Sequence, residues 1–359
     1  MGKKKILWMV VFLLIAILTI FAIVTQSSSF SFAEFCNDIK YAKKGWFALG
    51  VFCMLGSIYM EGSAITCILK KMLPKKNRPK LHGLLYSAGD IYFSSITPSA
   101  SGGQPVSAYF MIRDGISPSL TTVTLILNLM MYTASLLLVG ILCSLIRPAI
   151  FLQMSVLARV LISLGFIILV GLVIGFAMCL WKENLVRRIA NGLLKFLTKI
   201  HLFKGEEKLS RKLDKTMDEF AQLADIAYGK KGIFLQPFLR NFCQRLFQTG
   251  GTVFMFLATG GSVKYAIDVW AVQGYTYLGA NCLPIPGAVG AADYLLLEGF
   301  SHIEGIDSPA NLELLSRGVS FYLGVVLCGF ISLGGYLWVR KRVVTSEVDV
   351  AESHVNGAD

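Results

Sequence analysis

The chain is predicted to be all-α: a polytopic integral membrane helix bundle with two segments broken by glycine and proline. Three observations predict this. Hydrophobic residues make up 55% of the 359 residues and charged residues only 16%, against roughly 25% charged in a soluble domain. Mean hydropathy is +0.63. Apolar runs of about 20 residues, the length that crosses a bilayer, recur along the chain. Two dense Gly/Pro clusters with polar flanks interrupt this pattern. Such a composition excludes an ordinary soluble enzyme, and the 24 Phe exclude a disordered chain.

The elements follow in order. Residues 6–25 are almost purely apolar behind Lys3, Lys4 and Lys5. They read as an uncleaved first span with the N-terminus inside, being too long for a signal-peptide core. Residues 46–69 form the second span, closed by a cluster from Lys70 to Lys80 that marks the cytoplasmic side. Residues 81–117 hold Asp90 and the run Thr97-Pro98-Ser99-Ala100-Ser101-Gly102-Gly103-Gln104-Pro105, and are read as re-entrant from that side. Residues 121–146 and 156–181 are the next spans. Residues 182–232 carry twelve Lys/Arg and seven Asp/Glu and are expected to form a cytoplasmic amphipathic insert in the headgroup layer. Residues 233–258 form a span that carries Arg240, Asn241, Gln244, Arg245 and Gln248. Residues 263–300 are expected to complete a crossing as a helix broken at 284–293, and 315–339 form the last span. This reading counts seven full spans, one re-entrant element, a disordered tail over 343–359, and both termini in the cytoplasm.

The two breaks carry the functional argument. An unpaired backbone amide in hydrocarbon costs several kcal/mol, so broken helix persists only where protein buries it or a wet cavity meets it. Pro98 and Pro105 bracket Gly102 and Gly103; Pro284 and Pro286 precede Gly287 and Gly290. Paired interruptions, one per half, are the best sequence pointer to a transporter's binding site. Helix N-termini beginning after Gly103 and Gly290 are expected to face an anionic group such as a lipid phosphate. The plain alternative is that both clusters are kinks and loops.

A charge in the bilayer needs a partner or a wet cavity. Glu61, Asp90 and Asp293 are the candidate acids, to pair with a cationic headgroup, a proton or an arginine. Arg113, Arg240, Arg245 and Arg317 are the candidate bases. Arg240 and Arg245 lie about 140° apart on a helix at 100° per residue, so one is expected to meet headgroup phosphate and the other an internal acid. There is no P-loop, metal-ligand spacing, C-x-x-C pair or nucleophile elbow. No cofactor is expected.

The paired strings Thr97-Pro98-x-x-x-Gly102-Gly103-x-Pro105 and Pro284-x-Pro286-Gly287-x-x-Gly290-x-x-Asp293 resemble the transmembrane region of bacterial lysylphosphatidylglycerol synthase/flippase proteins and their short flippase-like relatives. The resemblance implies a bacterial inner-membrane protein that moves a phospholipid between leaflets, linked to resistance to cationic antimicrobial peptides. Family members often carry Glu where Asp293 stands. Full-length members append a soluble domain that takes lysine from lysyl-tRNA. This chain ends soon after its last span and is expected to lack that domain. Phosphatidylglycerol lysyltransfer, with lysyl-tRNA as the nucleic-acid partner, is the enzyme alternative, and a separate soluble aminoacyltransferase is a possible partner. A membrane scaffold that docks a partner on residues 182–232 is the third reading. The expected substrate-binding residues are Thr97, Pro98, Gly102, Gly103, Gln104, Pro105, Pro284, Pro286, Gly287, Gly290, Asp293, Glu61, Asp90, Arg240 and Arg245.

Overall fold

The computed structural model describes residues 37, 39–73, 79–181, 218–219, 221–281, 283, 285–306 and 308–339. The expected first span, most of the insert, Pro284 and the tail lie outside the described residues. Those described are helical or irregular, with no strand. The long elements are α1 (Lys44–Met72), α4 (Pro118–Ile146), α6 (Val156–Trp181) and α7 (Leu235–Ala258). The short ones are α2 (Gly83–Ile96), α3 (Gly103–Arg113), α5 (Pro148–Gln153), α8 (Ala266–Ala280), α9 (Ala291–Ser301) and α10 (Pro309–Arg317). Helix α10 runs on through a π-helical stretch, Gly318–Leu323, so that Pro309–Val339 is one long helix.

Local chemistry sets several boundaries. Pro118 and Pro309 stand in the first turns of α4 and α10, where a missing N–H costs nothing, and the preceding Ser117 and Ser308 accept from backbone N–H groups. Helix α1 ends on Lys70 and Lys71, which suit its negative C-terminal end. Among the described residues, four helices are long and apolar enough to cross a membrane: α1, α4, α6 and Pro309–Val339. Helix α6 is the most lipid-like, with Leu157, Val160, Leu164 and Ile167 exposed.

Helix α7 is built the other way round from a soluble helix. Asn241, Gln244, Arg245, Thr249 and Thr252 are buried, while Leu239 and Leu246 are exposed. Its polar stripe bonds to three neighbours. Gln244 Nε2 donates to Glu61 on α1 (2.7 Å), Asn241 Nδ2 to Asn128 on α4 (3.1 Å), and Thr252 Oγ1 to Gln273 on α8 (2.6 Å). In hydrocarbon such polar groups must face protein, so the stripe fixes the rotation of α7 about its own axis.

Helices α1 and α7 pack antiparallel along their length. Lys43 N donates to Ala258 O (2.9 Å) at one end, and Lys71 Nζ to Lys231 O (3.0 Å) at the other. Each break is the tip of a hairpin inserted between the long helices. In the first, Gly89 of α2 faces Val106 and Phe110 of α3. In the second, Gly279 of α8 faces Leu295 of α9, and Gly299 faces Val272. That antiparallel pairing corrects the expectation that residues 263–300 cross as one broken helix. The physical reason is packing: Gly279 and Gly299 carry no side chain where Leu295 and Val272 press against them, so α8 and α9 lie side by side instead of end to end.

The two hairpins come from opposite ends of the bundle. The base of the first lies at the Met72 end, where the His82 ring meets Trp338 edge-on at 4.8 Å. The base of the second lies at the Ala258 end, where Tyr265 Oη donates to Glu304 (2.7 Å). The sequence α1–hairpin–α4 is therefore repeated upside down as α7–hairpin–α10, an inverted-repeat architecture.

Single cysteines at Lys80 and Arg113, and at Lys264 and Glu304, test this in a background without the native cysteines. Membrane-impermeant thiol reagent is expected to label the first pair from one side of the membrane and the second pair from the other. Labelling of 264 and 304 from different sides would restore a crossing.

Candidate functional site

The two hairpin tips touch. Each is a 3-10 turn, Pro98–Ala100 in the first and Pro286–Ala288 in the second, and they contact one another and α2. The turns are counterparts: Pro-x-Ala, two further residues ending in the glycine N-cap Gly102 or Gly290, then a helix. Ala100 and Ala288 hold φ of 53° and 51°, a left-handed conformation that costs an L-residue about 1–2 kcal/mol. Both tips keep exposed surface, at Pro98, Ala100 and Ser101 and at Ile285 and Gly290.

Beside the tips lies a cluster of buried charge. Asp90 on α2 accepts from Ser94 Oγ (3.0 Å) and from Gln104 Nε2 of α3 (2.7 Å). The Glu61 carboxyl on α1 lies close enough to feel its charge. Glu61 also takes the Gln244 amide and feels the Arg245 charge. The Arg245 guanidinium is 2% exposed and lies 3.6 Å over the Tyr132 ring of α4. One of its N–H groups reaches Gln248, while Nε and Nη2 find no acceptor among the described residues.

The second hairpin brings an ion pair. Arg317 Nε lies 2.8 Å from Asp293 Oδ1. The N–H does not point along this line, so both atoms lack an aligned hydrogen bond and the attraction is Coulombic. The Arg317 guanidinium also lies 4.5 Å from the Phe321 ring centre, in the π-helical stretch, and Nη2 approaches Gly287 O at 3.5 Å. π-Helical turns concentrate at functional sites. Tyr277 of α8 is within electrostatic reach of both Arg245 and Arg317 and joins the two halves of the cluster.

The sequence-predicted residues divide accordingly. The structure brings Glu61, Asp90, Gln104, Arg245, Gly287, Gly290 and Asp293 to the charge cluster and the tips, with Pro98 and Pro286 in the turns. Arg240 does not join them; its Nη1 donates to Ser63 of α1. Pro105 is exposed on α3, and Pro284 lies outside the described residues. At both N-caps, where the sequence leads one to expect a phosphate, the cap amide meets an acceptor of the protein. Gly290 N donates to Asp293 Oδ2 (2.8 Å) and Gly102 N to Thr97 Oγ1 (2.8 Å). Asp90 closes off α3 as well, since a side chain added at Gly103 would strike its carboxylate and Ser94. The cap amide of each helix is thus taken by a side chain of the protein itself.

Sequence alone does not mark Gln244, Gln248, Tyr132, Tyr277 and Ser94 as site residues. A signal existed for the glutamines, which fall with Arg245 at helical spacing on an apolar run. The tyrosines carried none, because nothing local distinguishes a core tyrosine from one over an arginine. A narrow crevice borders the cluster, lined by Ser57, Gln248, Gly251 and Ser320, with free volume on the order of one water.

Replacing Asp293 by Ala strands the Arg317 charge, and breaking a buried pair in this way costs about 3–5 kcal/mol. Asp293→Ala is expected to lower the thermal midpoint in detergent, and Asp293→Leu with Arg317→Met to restore part of the loss. Unchanged melting of Asp293→Ala would deny the pair a structural role.

The family model described as "Lysylphosphatidylglycerol synthase TM region" matches residues 8–328. No curated protein matches the chain, and neither does any solved structure.

Proposed function

This chain belongs to the lysylphosphatidylglycerol synthase transmembrane-region family, and on that premise we propose that it moves a phospholipid headgroup between leaflets where the two hairpin tips meet. The family supports a role at membrane lipid. The observation that carries the finer reading is the contact of two hairpins inserted from opposite ends, beside buried charges of both signs. Interrupted helices at a repeat interface are how membrane proteins place polar groups where a headgroup must pass.

In this reading Glu61 and Asp90 receive an ammonium group, as in lysylphosphatidylglycerol. The unsatisfied edge of Arg245 receives the phosphate, for which a guanidinium fork is geometrically suited. Arg240, on a different face of α7 and bonded to Ser63, serves α1–α7 packing. The crevice is too narrow for a headgroup, so passage requires the tips to part while the acyl chains stay in the bilayer. Lys70, Lys71, Lys230 and Lys231 gather at one end, which the positive-inside tendency makes cytoplasmic. The membrane is then the bacterial cell membrane, with both termini in the cytoplasm. A separate soluble aminoacyltransferase supplies the aminoacylated lipid, and exposing that lipid outside repels cationic peptides.

The test is leaflet exchange of lysylphosphatidylglycerol in proteoliposomes. Gly103→Leu, which drives a side chain into Asp90 and Ser94, is expected to slow exchange at least tenfold. Gly171→Leu, which meets open space, is expected to exchange like the wild type. Wild-type rates in Gly103→Leu at equal expression would remove the site. Lysylphosphatidylglycerol made from lysyl-tRNA and phosphatidylglycerol by the purified chain alone would favour the synthase reading instead.

A further inference from the structure

Arg245 is a buried cation with donors to spare. It stands near the middle of α7, 2% exposed, with its guanidinium 3.6 Å over the Tyr132 ring. A guanidinium carries five N–H donors. Here Nη1 donates to Gln248 Oε1, while Nε and Nη2 find no acceptor among the described residues. The acids of the cluster take other donors: Gln244 on Glu61, Ser94 and Gln104 on Asp90, and Arg317 beside Asp293. Buried donors without acceptors are costly in hydrocarbon, and two on one cation leave a place for an anion.

Gln248 connects this cation to the surface. It is only half-buried, and it lines the crevice between α1, α7 and the π-helical stretch of the Pro309–Val339 helix. Met54 and Ser57 of α1, Gly251 and Met255 of α7, and Ser320 stand around it. The Ser57 and Ser320 hydroxyls bond back to their own helices, at Met54 O (2.7 Å) and Ser316 O (2.6 Å). They make the walls polar without competing for Arg245. At the rim Phe247 meets the exposed Phe52 edge-on at 6.0 Å, and Leu246 and Leu323 are exposed on the same elements. The crevice therefore opens on a lipid-facing surface, where a polar wall has no packing purpose. Methionine walls and a π-helical turn are both adaptable.

We propose that this crevice is a lateral entrance, through which a glycerophospholipid of the surrounding bilayer brings its phosphodiester to Arg245 and replaces Gln248 as the acceptor there. This rests on the lipid-transfer reading above and adds where the lipid enters and what it displaces. At rest the crevice has room for about one water, so Met54 and Met255 move aside as the phosphodiester arrives. Its two free oxygens accept from the guanidinium edge, a geometry suited to a fork of N–H donors. The acyl chains stay outside, against Phe52, Leu246 and Leu323. The phosphodiester is common to phosphatidylglycerol and its lysyl ester, so the entrance admits both, and passage to the other leaflet still requires the hairpin tips to part.

The experiment places the full chain in phosphatidylglycerol vesicles with a trace of phosphatidylglycerol that carries a diazirine on the acyl carbons beside the ester. After irradiation, adducts are expected on segments 50–57, 247–255 and 319–320. Gln248→Glu gives Arg245 an ionised acceptor of the same size. It should cut these adducts about tenfold, the advantage of an ionised acceptor over an amide. Gly251→Leu should plug the crevice, removing the adducts and slowing leaflet exchange; its first side-chain carbon meets nothing nearer than 3.8 Å, so the helix accepts it. Gly250→Leu, with room to 3.9 Å but outside the crevice, should behave as the wild type. Soluble glycerol phosphate should not compete, and competition would overturn a lipid as the ligand. Adducts spread evenly over the lipid-facing helices, or unchanged in Gln248→Glu, overturn the entrance, while wild-type exchange leaves lipid transfer standing. Crevice adducts in a chain that exchanges no lipid overturn the transfer reading and leave a lipid seat at Arg245. The wild-type adduct map is decisive even if the variants fold poorly.

Discussion

Ionised groups inside hydrocarbon must be neutralised where they stand, and much of this bundle is organised by that requirement. Three acids and two arginines converge from α1, α2, α7, α9 and the Pro309–Val339 helix. Their hydrogen-bond partners extend the set to α3. None of these helices can slide or rotate without leaving a charge unpaired, an error of several kcal/mol. The polar stripe of α7 has the same effect along its length, bonding to α1, α4 and α8 in turn.

The hairpins satisfy a second requirement, that of backbone polarity at membrane depth. A broken helix exposes amides and carbonyls, and here the local chain answers many of them. Thr97 serves Gly102, Asp293 serves Gly290, and Ser94 reaches Ala100 O. The left-handed Ala100 and Ala288 show that these turns are held against a local preference. What holds them is tertiary: the tips brace each other and Phe321 closes on Gly287. Such mutual bracing gives a natural means of opening, because separating the tips releases both turns together.

Inverted insertion bears on the proposed transfer. With one hairpin rooted at each end of the bundle, moving either one would open the polar junction to its own side. The cluster in between need not move far. The lipid-like face of α6 and the exposed residues Phe330, Leu333 and Leu337 of the last helix keep the rest of the surface apolar.

The membrane class, the long apolar helices and the two breaks were legible in the sequence, because hydrocarbon admits few solutions and each leaves a compositional mark. The intramembrane acids and bases were legible for the same reason. The fate of the second break was not. A helix that turns back and one that carries on share the same glycines and prolines, and only the packing of Gly279 on Leu295 and Gly299 on Val272 separates them. Nor was the choice between Arg240 and Arg245 written locally; an angular separation says that two arginines differ, while the neighbours Ser63 and Glu61 decide how. The helix N-caps make the same point, since dipole arguments treat them as open and the fold sets Thr97 and Asp293 on their amides. Sequence by itself determined which groups had to be sheltered from lipid. Tertiary structure decided which group shelters which, because that depends on distances between segments far apart in the chain.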